Sequence, residues 1–156
     1  MPCFLPQGLS SRKGKRQDAT PALPEVSDSY RRFVVTLKRG ILFADDPTFR
    51  GRPRELVAED YVYSLERFYN PTIITEHLYT YENAKLMGLS KLRRQVIAGK
   101  TPFPYDAEVP GIRALDRYRF EVRLAELNPR FPLVFSGLRA VAREDVAVAP
   151  ALPASA

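Results

Sequence analysis

Apolar and polar positions alternate from Phe33 to Lys38, with Phe33, Val35 and Leu37 on one side and Val34, Thr36 and Lys38 on the other. A two-residue period of this kind marks a strand resting one face on a core. Lys38-Arg39-Gly40 can turn the chain and Ile41-Leu42-Phe43 resumes the apolar run, so residues 33–43 are expected to form a hairpin or a bent strand. Asp45-Asp46-Pro47 then ends it with turn chemistry. From Ala58 the period changes. Ala58, Tyr61, Val62, Leu65, Phe68 and Tyr69 recur at three- and four-residue spacing, which predicts an amphipathic helix over residues 58–69. Glu59 and Asp60 sit in its first turn, where carboxylates complement the helix dipole, and Asn70-Pro71 stops it. A second helix is predicted over residues 89–98, with Leu89, Leu92 and Val96 as its stripe, Ser90 as a candidate cap and Gly99 as its stop.

The clearest alternation comes later. Ile112-Arg113-Ala114-Leu115 leads to a turn at Asp116-Arg117, after which Tyr118, Phe120, Val122 and Leu124 alternate with Arg119, Glu121 and Arg123. This predicts an antiparallel hairpin over 112–124 with its apolar face on the core and its charged face in water. Asn128-Pro129 closes it, and Leu133-Val134-Phe135 gives a short apolar return. Residues 72–88 carry no clean period; Ile73, Ile74, Leu78, Tyr79 and Tyr81 could line a core or a ligand surface. The two ends, residues 1–20 and 147–156, are punctuated by prolines and are expected to be disordered. Residues 21–146 then form one α+β domain whose hairpins pack against helices around a shared core.

Charge and chemistry alter this picture little. The chain of 156 residues has 24 basic and 18 acidic side chains and a net charge of +6. The excess leaves open a small basic module that contacts nucleic acid or another protein, but the charges are interspersed and no nucleic-acid partner is expected. Arg12, Lys13, Lys15 and Arg16 cluster in the lead, and Arg50, Arg52 and Arg54 in a Gly- and Pro-bearing loop; both groups are expected to be solvated, with a phosphate patch as the alternative. Arg119 and Arg123 could likewise meet an anion. Cys3 is the only cysteine and His77 the only histidine. No thiolate or His-rich metal site can form from single residues, and His77, in Thr75-Glu76-His77-Leu78, has no nucleophile signature beside it. Glu59 and Asp60 have a sufficient structural role as first-turn acids. No catalytic residue, metal site or cofactor is therefore assigned, the ligand-binding residues stay unknown, and the chain is not expected to be an enzyme. No apolar run is long enough to span a bilayer. The basic residues of the lead follow its short apolar patch, Cys3-Phe4-Leu5, which is the reverse of a signal peptide, so no export signal is expected in the chain as written.

Taken in order, several stretches resemble the N-terminal part of the family 5 extracellular solute-binding proteins, the peptide- and oligopeptide-binding components of bacterial ABC importers. Val35-Thr36-Leu37-Lys38-Arg39-Gly40-Ile41-Leu42-Phe43 is similar to the family's first strand, turn and strand. Leu56-Val57-Ala58-Glu59-Asp60-Tyr61-Val62-Tyr63-Ser64-Leu65-Glu66-Arg67 resembles its most recognisable helix. Gly111 to Leu124 resembles its later hairpin, and Glu126-Leu127-Asn128-Pro129-Arg130-Phe131 follows. Val57 stands where the family commonly has Thr or Ser, so a side-chain cap is lost, and Leu127 replaces a frequent Pro. The resemblance implies part of one lobe of a two-lobed periplasmic-binding-protein fold, type II. It also implies a periplasmic or extracellular setting, and a peptide-like solute and an importer permease as partners of intact relatives. Because such relatives are much longer and close two lobes by a hinge, the chain is expected to be a fragment that does not bind ligand alone.

Overall fold

The computed structural model describes residues 25–27 and 29–144. Strands β1 (Glu25–Ser27), β2 (Arg32–Thr36), β3 (Ile112–Asp116) and β4 (Arg119–Arg123) form one antiparallel sheet in the order β1-β2-β4-β3. Helix α1 (Ala58–Tyr69) crosses β3 and β4. Helices α2 (His77–Asn83) and α3 (Leu89–Gly99) pack on α1, and α4 (Phe131–Ser136) brings its aromatics to the sheet.

Register decides which side chains meet. Phe33 lies opposite Val122 and Val35 opposite Phe120, while Ile112 and Ala114 lie opposite Val122 and Phe120 from the other side. The alternating apolar residues of three strands therefore share one face. Tyr61 of α1 stacks on Phe120 at 5.3 Å between ring centroids, Phe135 lies 5.4 Å from Phe120, and Phe131 lies 5.1 Å from Phe33. This aromatic layer forms the centre of the core.

Helix α1 has the predicted bounds, and its first turn is held by Asp60. The Asp60 carboxylate accepts the Val57 N–H at 2.8 Å, the one half of a capping box that Val at the N-cap still allows. The hairpin of β3 and β4 is also as predicted, with its apolar face on the core. Its turn residues are Arg117 and Tyr118, one position later than expected, because Asp116 pairs with Arg119 and its carboxylate accepts the Tyr118 N–H at 2.9 Å.

Two expectations, the hairpin over 33–43 and the Ser90 cap, are corrected, and two stretches with no assigned element prove helical. Residues 41–43 do not fold back on β2 as a hairpin. The Phe43 N–H donates to Arg54 O at 2.9 Å and the Leu56 N–H to Ile41 O at 2.8 Å, while both edges of β2 are taken by β1 and β4. Gly40, at φ +76°, directs the chain off the sheet, and its N–H donates to Glu55 at 2.8 Å. Residues 72–88, without a clean period, contain α2. Ser90 does not cap α3; Gly88 holds that position with φ 84°. The apolar return at 133–135 is the helix α4, with Phe131 and Phe135 buried one turn apart.

Gly111 is fixed by space. A β-carbon on it would lie 2.2 Å from the Met87 carbonyl oxygen, where the chain before α3 runs against β4: the Met87 N–H donates to Arg123 O at 3.0 Å, and the Arg123 N–H to Gly111 O at 2.9 Å. Gly111→Ala must move that backbone and is expected to destabilise the fold by about 1–3 kcal/mol. Gly99→Ala, with only ordinary contacts around it, is expected to be neutral or slightly stabilising. Urea denaturation of both variants checks this; equal midpoints would show that the close approach at Gly111 is absent.

Candidate functional site

Helix α1 is buried beyond its predicted stripe. Tyr63, Ser64 and Glu66 lie off the apolar face and are nevertheless covered. The cover comes from residues 101–111 and 138–144. Ser64 Oγ donates to Asp60 O at 2.6 Å and accepts the Val141 N–H at 2.8 Å, which fixes the later segment along the helix. Asn70 Nδ2 donates to the Tyr105 hydroxyl at 2.7 Å, which fixes the earlier segment to the helix end. Tyr105 packs between Tyr63 and Phe103, at 4.9 and 5.1 Å.

Between α1, these two segments and β3 lies a cleft of about 790 Å³. Its rim is organised by two arginines. Arg54 donates to both Asp60 oxygens, at 2.7 and 3.3 Å, and to Glu144 at 3.1 and 3.3 Å. Arg143 donates to Asp106 at 2.8 and 3.2 Å and lies over the rings of Tyr63 and Tyr105, at 5.7 and 6.0 Å. Glu66 faces the same space at 4% exposure. Burial, with Glu59 and Asp106 nearby and against the pull of Arg143, pushes its carboxyl up to about 8.

The opposite face of the sheet carries a different polar group. Glu121, central in β4, is 1% exposed and accepts from Arg32, from Arg113 at 2.7 Å and from Arg123 at 2.8 Å. Burial alone would raise its carboxyl, but the three guanidinium groups outweigh it and hold it at about 2. The expected solvated face holds at Arg113, Arg119 and Arg123 and is corrected at Glu121, where the stems of the arginines it binds cover the carboxylate.

Of the residues singled out from sequence, Arg54, Glu59 and Asp60 meet at the cleft and the others do not. Arg54 leaves the solvated loop for the cleft rim, while Arg50 and Arg52 stay exposed. Arg119 binds Asp116 at 2.6 Å and Arg123 binds Glu121, so each already has a carboxylate partner. His77 begins α2 and lies 5.1 Å from the Phe68 ring. Glu59 and Asp60 reach the cleft wall, Asp60 as a cap and an ion-pair partner. Tyr81 is core, stacked on Phe68 at 5.3 Å, whereas Ile74 and Tyr79 are exposed. Cys3, the cluster at Arg12, Lys13, Lys15 and Arg16, and the two end segments 1–20 and 147–156 lie outside the described residues. Among the described residues no group of three or more His, Cys, Asp or Glu side chains is arranged to hold a metal ion, and no helix is long and apolar enough to cross a membrane. Glu66, Tyr63 and Tyr105 were not found by sequence reasoning. Glu66 falls four residues after Val62 and one after Leu65, and that adjacency to the stripe was the available signal.

Solved structures share this arrangement of sheet and helices. The pheromone receptor PrgZ matches with a TM-score of 0.58 and 16% identity, over 83% of this chain and 23% of its own. The periplasmic murein tripeptide-binding protein MppA, in an unliganded open form, matches with a TM-score of 0.56 and 21% identity, over 82% of this chain and 22% of its own. OppA of Burkholderia pseudomallei matches with a TM-score of 0.53 and 22% identity, over 83% and 26%. The fold is therefore that of part of a lobe of a solute-binding protein, and the chain spans about a quarter of the length of these structures. Residues 18–152 match the family described as bacterial extracellular solute-binding proteins, family 5 (middle), and the chain belongs to that family. No curated protein matches it significantly.

Two carboxyls set opposite pH dependences. Glu121, held near 2 against an ordinary 4.5, contributes stability that is complete above about pH 4.5 and is lost as the pH falls toward 2. Glu66, raised from 4.5 to about 8, keeps its proton in the fold while the unfolded chain has lost it, so stability declines as the pH rises from about 4.5 to 8 and then levels. Glu66→Gln is expected to abolish that decline, which denaturation midpoints at pH 5, 7 and 9 will report. Parallel curves for the two proteins would show that Glu66 ionises freely.

Proposed function

We propose that residues 21–146 form one domain that contributes part of a lobe to an extracellular or periplasmic binding protein, which captures a peptide-like solute and delivers it to an ABC importer permease. The family match over residues 18–152 carries this reading. Its support on the solute side is the company of the fold: a pheromone receptor described with its mode of peptide binding, a murein tripeptide-binding protein, and OppA of Listeria monocytogenes bound to peptide. The role is capture and not catalysis. Solute affinity in such a protein comes from walls on both sides of a cleft, and this chain supplies a share of one side. Alone it binds peptides weakly or not at all.

The basic-module reading has less support. Arg32, Arg54, Arg113, Arg117, Arg119, Arg123 and Arg143 each bind a carboxylate within the fold, so much of the cationic excess is already engaged. Calorimetric titration with a mixed peptide library, beside sedimentation, separates the readings. The expected result is no saturable binding tighter than about 100 µM, on the order of 5 kcal/mol. Tight binding by a compact monomer would contradict the claim that the chain needs further walls. Binding to duplex DNA that falls steeply with added salt would favour the basic module.

A further inference from the structure

The cleft beside α1 contrasts with the rest of the surface. The protein as a whole is cationic, at +6, yet six carboxylates and three guanidinium groups line this space. Arg54 is committed to Asp60 and Glu144, Arg143 to Asp106, and Arg113 to Glu121 on the other face of the sheet. Glu59, Glu66 and Glu108 have no ion pair among the described residues. Of these Glu66 is the buried one. It is 4% exposed and opens into the cleft, and no hydrogen bond from another described residue reaches its carboxyl. A buried carboxyl without a donor is costly unless it stays protonated or receives a cation.

The walls suit a cation on an apolar stem. The rings of Tyr63 and Tyr105 meet at 4.9 Å, and a guanidinium, that of Arg143, already lies over both. Val62, Val109 and Pro110 supply aliphatic surface beside them. We propose that this cleft is a binding subsite for an alkylammonium group, which Glu66 receives as a carboxylate while the stem lies along the tyrosine rings and the aliphatic wall. The inference holds whether or not the solute of the whole protein is a peptide.

The charged groups facing Glu66 are Glu59 on its own helix, Asp106 from the 101–111 segment and Arg143 from the 138–144 segment. Burial first, then the repulsion of Glu59 and Asp106 against the pull of Arg143, leaves Glu66 holding its proton near neutral pH. Entry of an alkylammonium therefore displaces one proton, and the apparent affinity should fall about tenfold for each pH unit below 8.

Calorimetric titration of the whole chain with n-butylammonium and with N-acetyl-lysine methylamide tests the proposal, in two buffers of different ionisation heat. Binding on the order of millimolar is expected for both at pH 8, since one charge contact carries it, with net proton release at pH 7. N-acetyl-norleucine methylamide, which has the stem without the charge, should not bind. Glu66→Gln should weaken ammonium binding at least tenfold and remove the proton release. Absence of binding to the unaltered chain, binding without proton release, or equal binding of the norleucine compound would each overturn the proposal. Because these three are read on the unaltered chain, the outcome stands even where the variant fails to fold.

Discussion

Burial of α1 on two sides governs the architecture. One side rests on β3 and β4, with Tyr61 stacked on Phe120; the other is closed by residues 101–111 and 138–144. A helix covered twice cannot leave its polar positions to water, so each needs an internal answer. Asp60 finds one in the Val57 N–H and Arg54, and Ser64 in Asp60 O and the Val141 N–H. Arg67 Nε and the Tyr69 hydroxyl find none among the described residues, and neither does Glu66, which of the three is the carboxyl that lines the cleft.

The sheet solves a related problem in another way. Its second face carries Arg32, Arg113, Arg119, Glu121 and Arg123, a mixture that resembles a simple solvated surface. Register places Arg113 directly across from Glu121, with Arg32 diagonal and Arg123 two residues on along the same strand. Three donors converge on one carboxylate, and their stems exclude water from it. A single carboxylate thus ties β2, β3 and β4 together on the side away from the aromatic core, and part of the protein's cationic excess is spent inside the fold.

Much of the architecture was legible in the sequence because local period and tertiary burial agree there. The stripe from Ala58 to Tyr69 and the alternation from Tyr118 to Leu124 each report one face on one core. The misreadings share a cause in long-range pairing. Ile41 pairs with Leu56 in place of β2, a choice set by the occupation of both edges of β2 and invisible at Ile41-Leu42-Phe43 itself. Helix α2 was missed because Tyr81 is its only buried residue, so no period could show. The cleft was less legible than the fold. Periodicity predicts what a helix buries once, and Tyr63 and Glu66 are buried by a second layer that contacts α1 from about 40 and 75 residues further along the chain. Asp60 was recognisable as a first-turn acid, but its partners Arg54 and Glu144 were not.

The two-sided burial of α1 is tested most directly by native-state amide hydrogen exchange. The Val141 amide, bonded to Ser64 Oγ, should exchange as slowly as the amides of residues 62–66, because the outer layer opens only when the helix does. Rapid exchange at Val141, with residues 62–66 still protected, would show that the second layer is detached from α1 and that the cleft it closes does not persist.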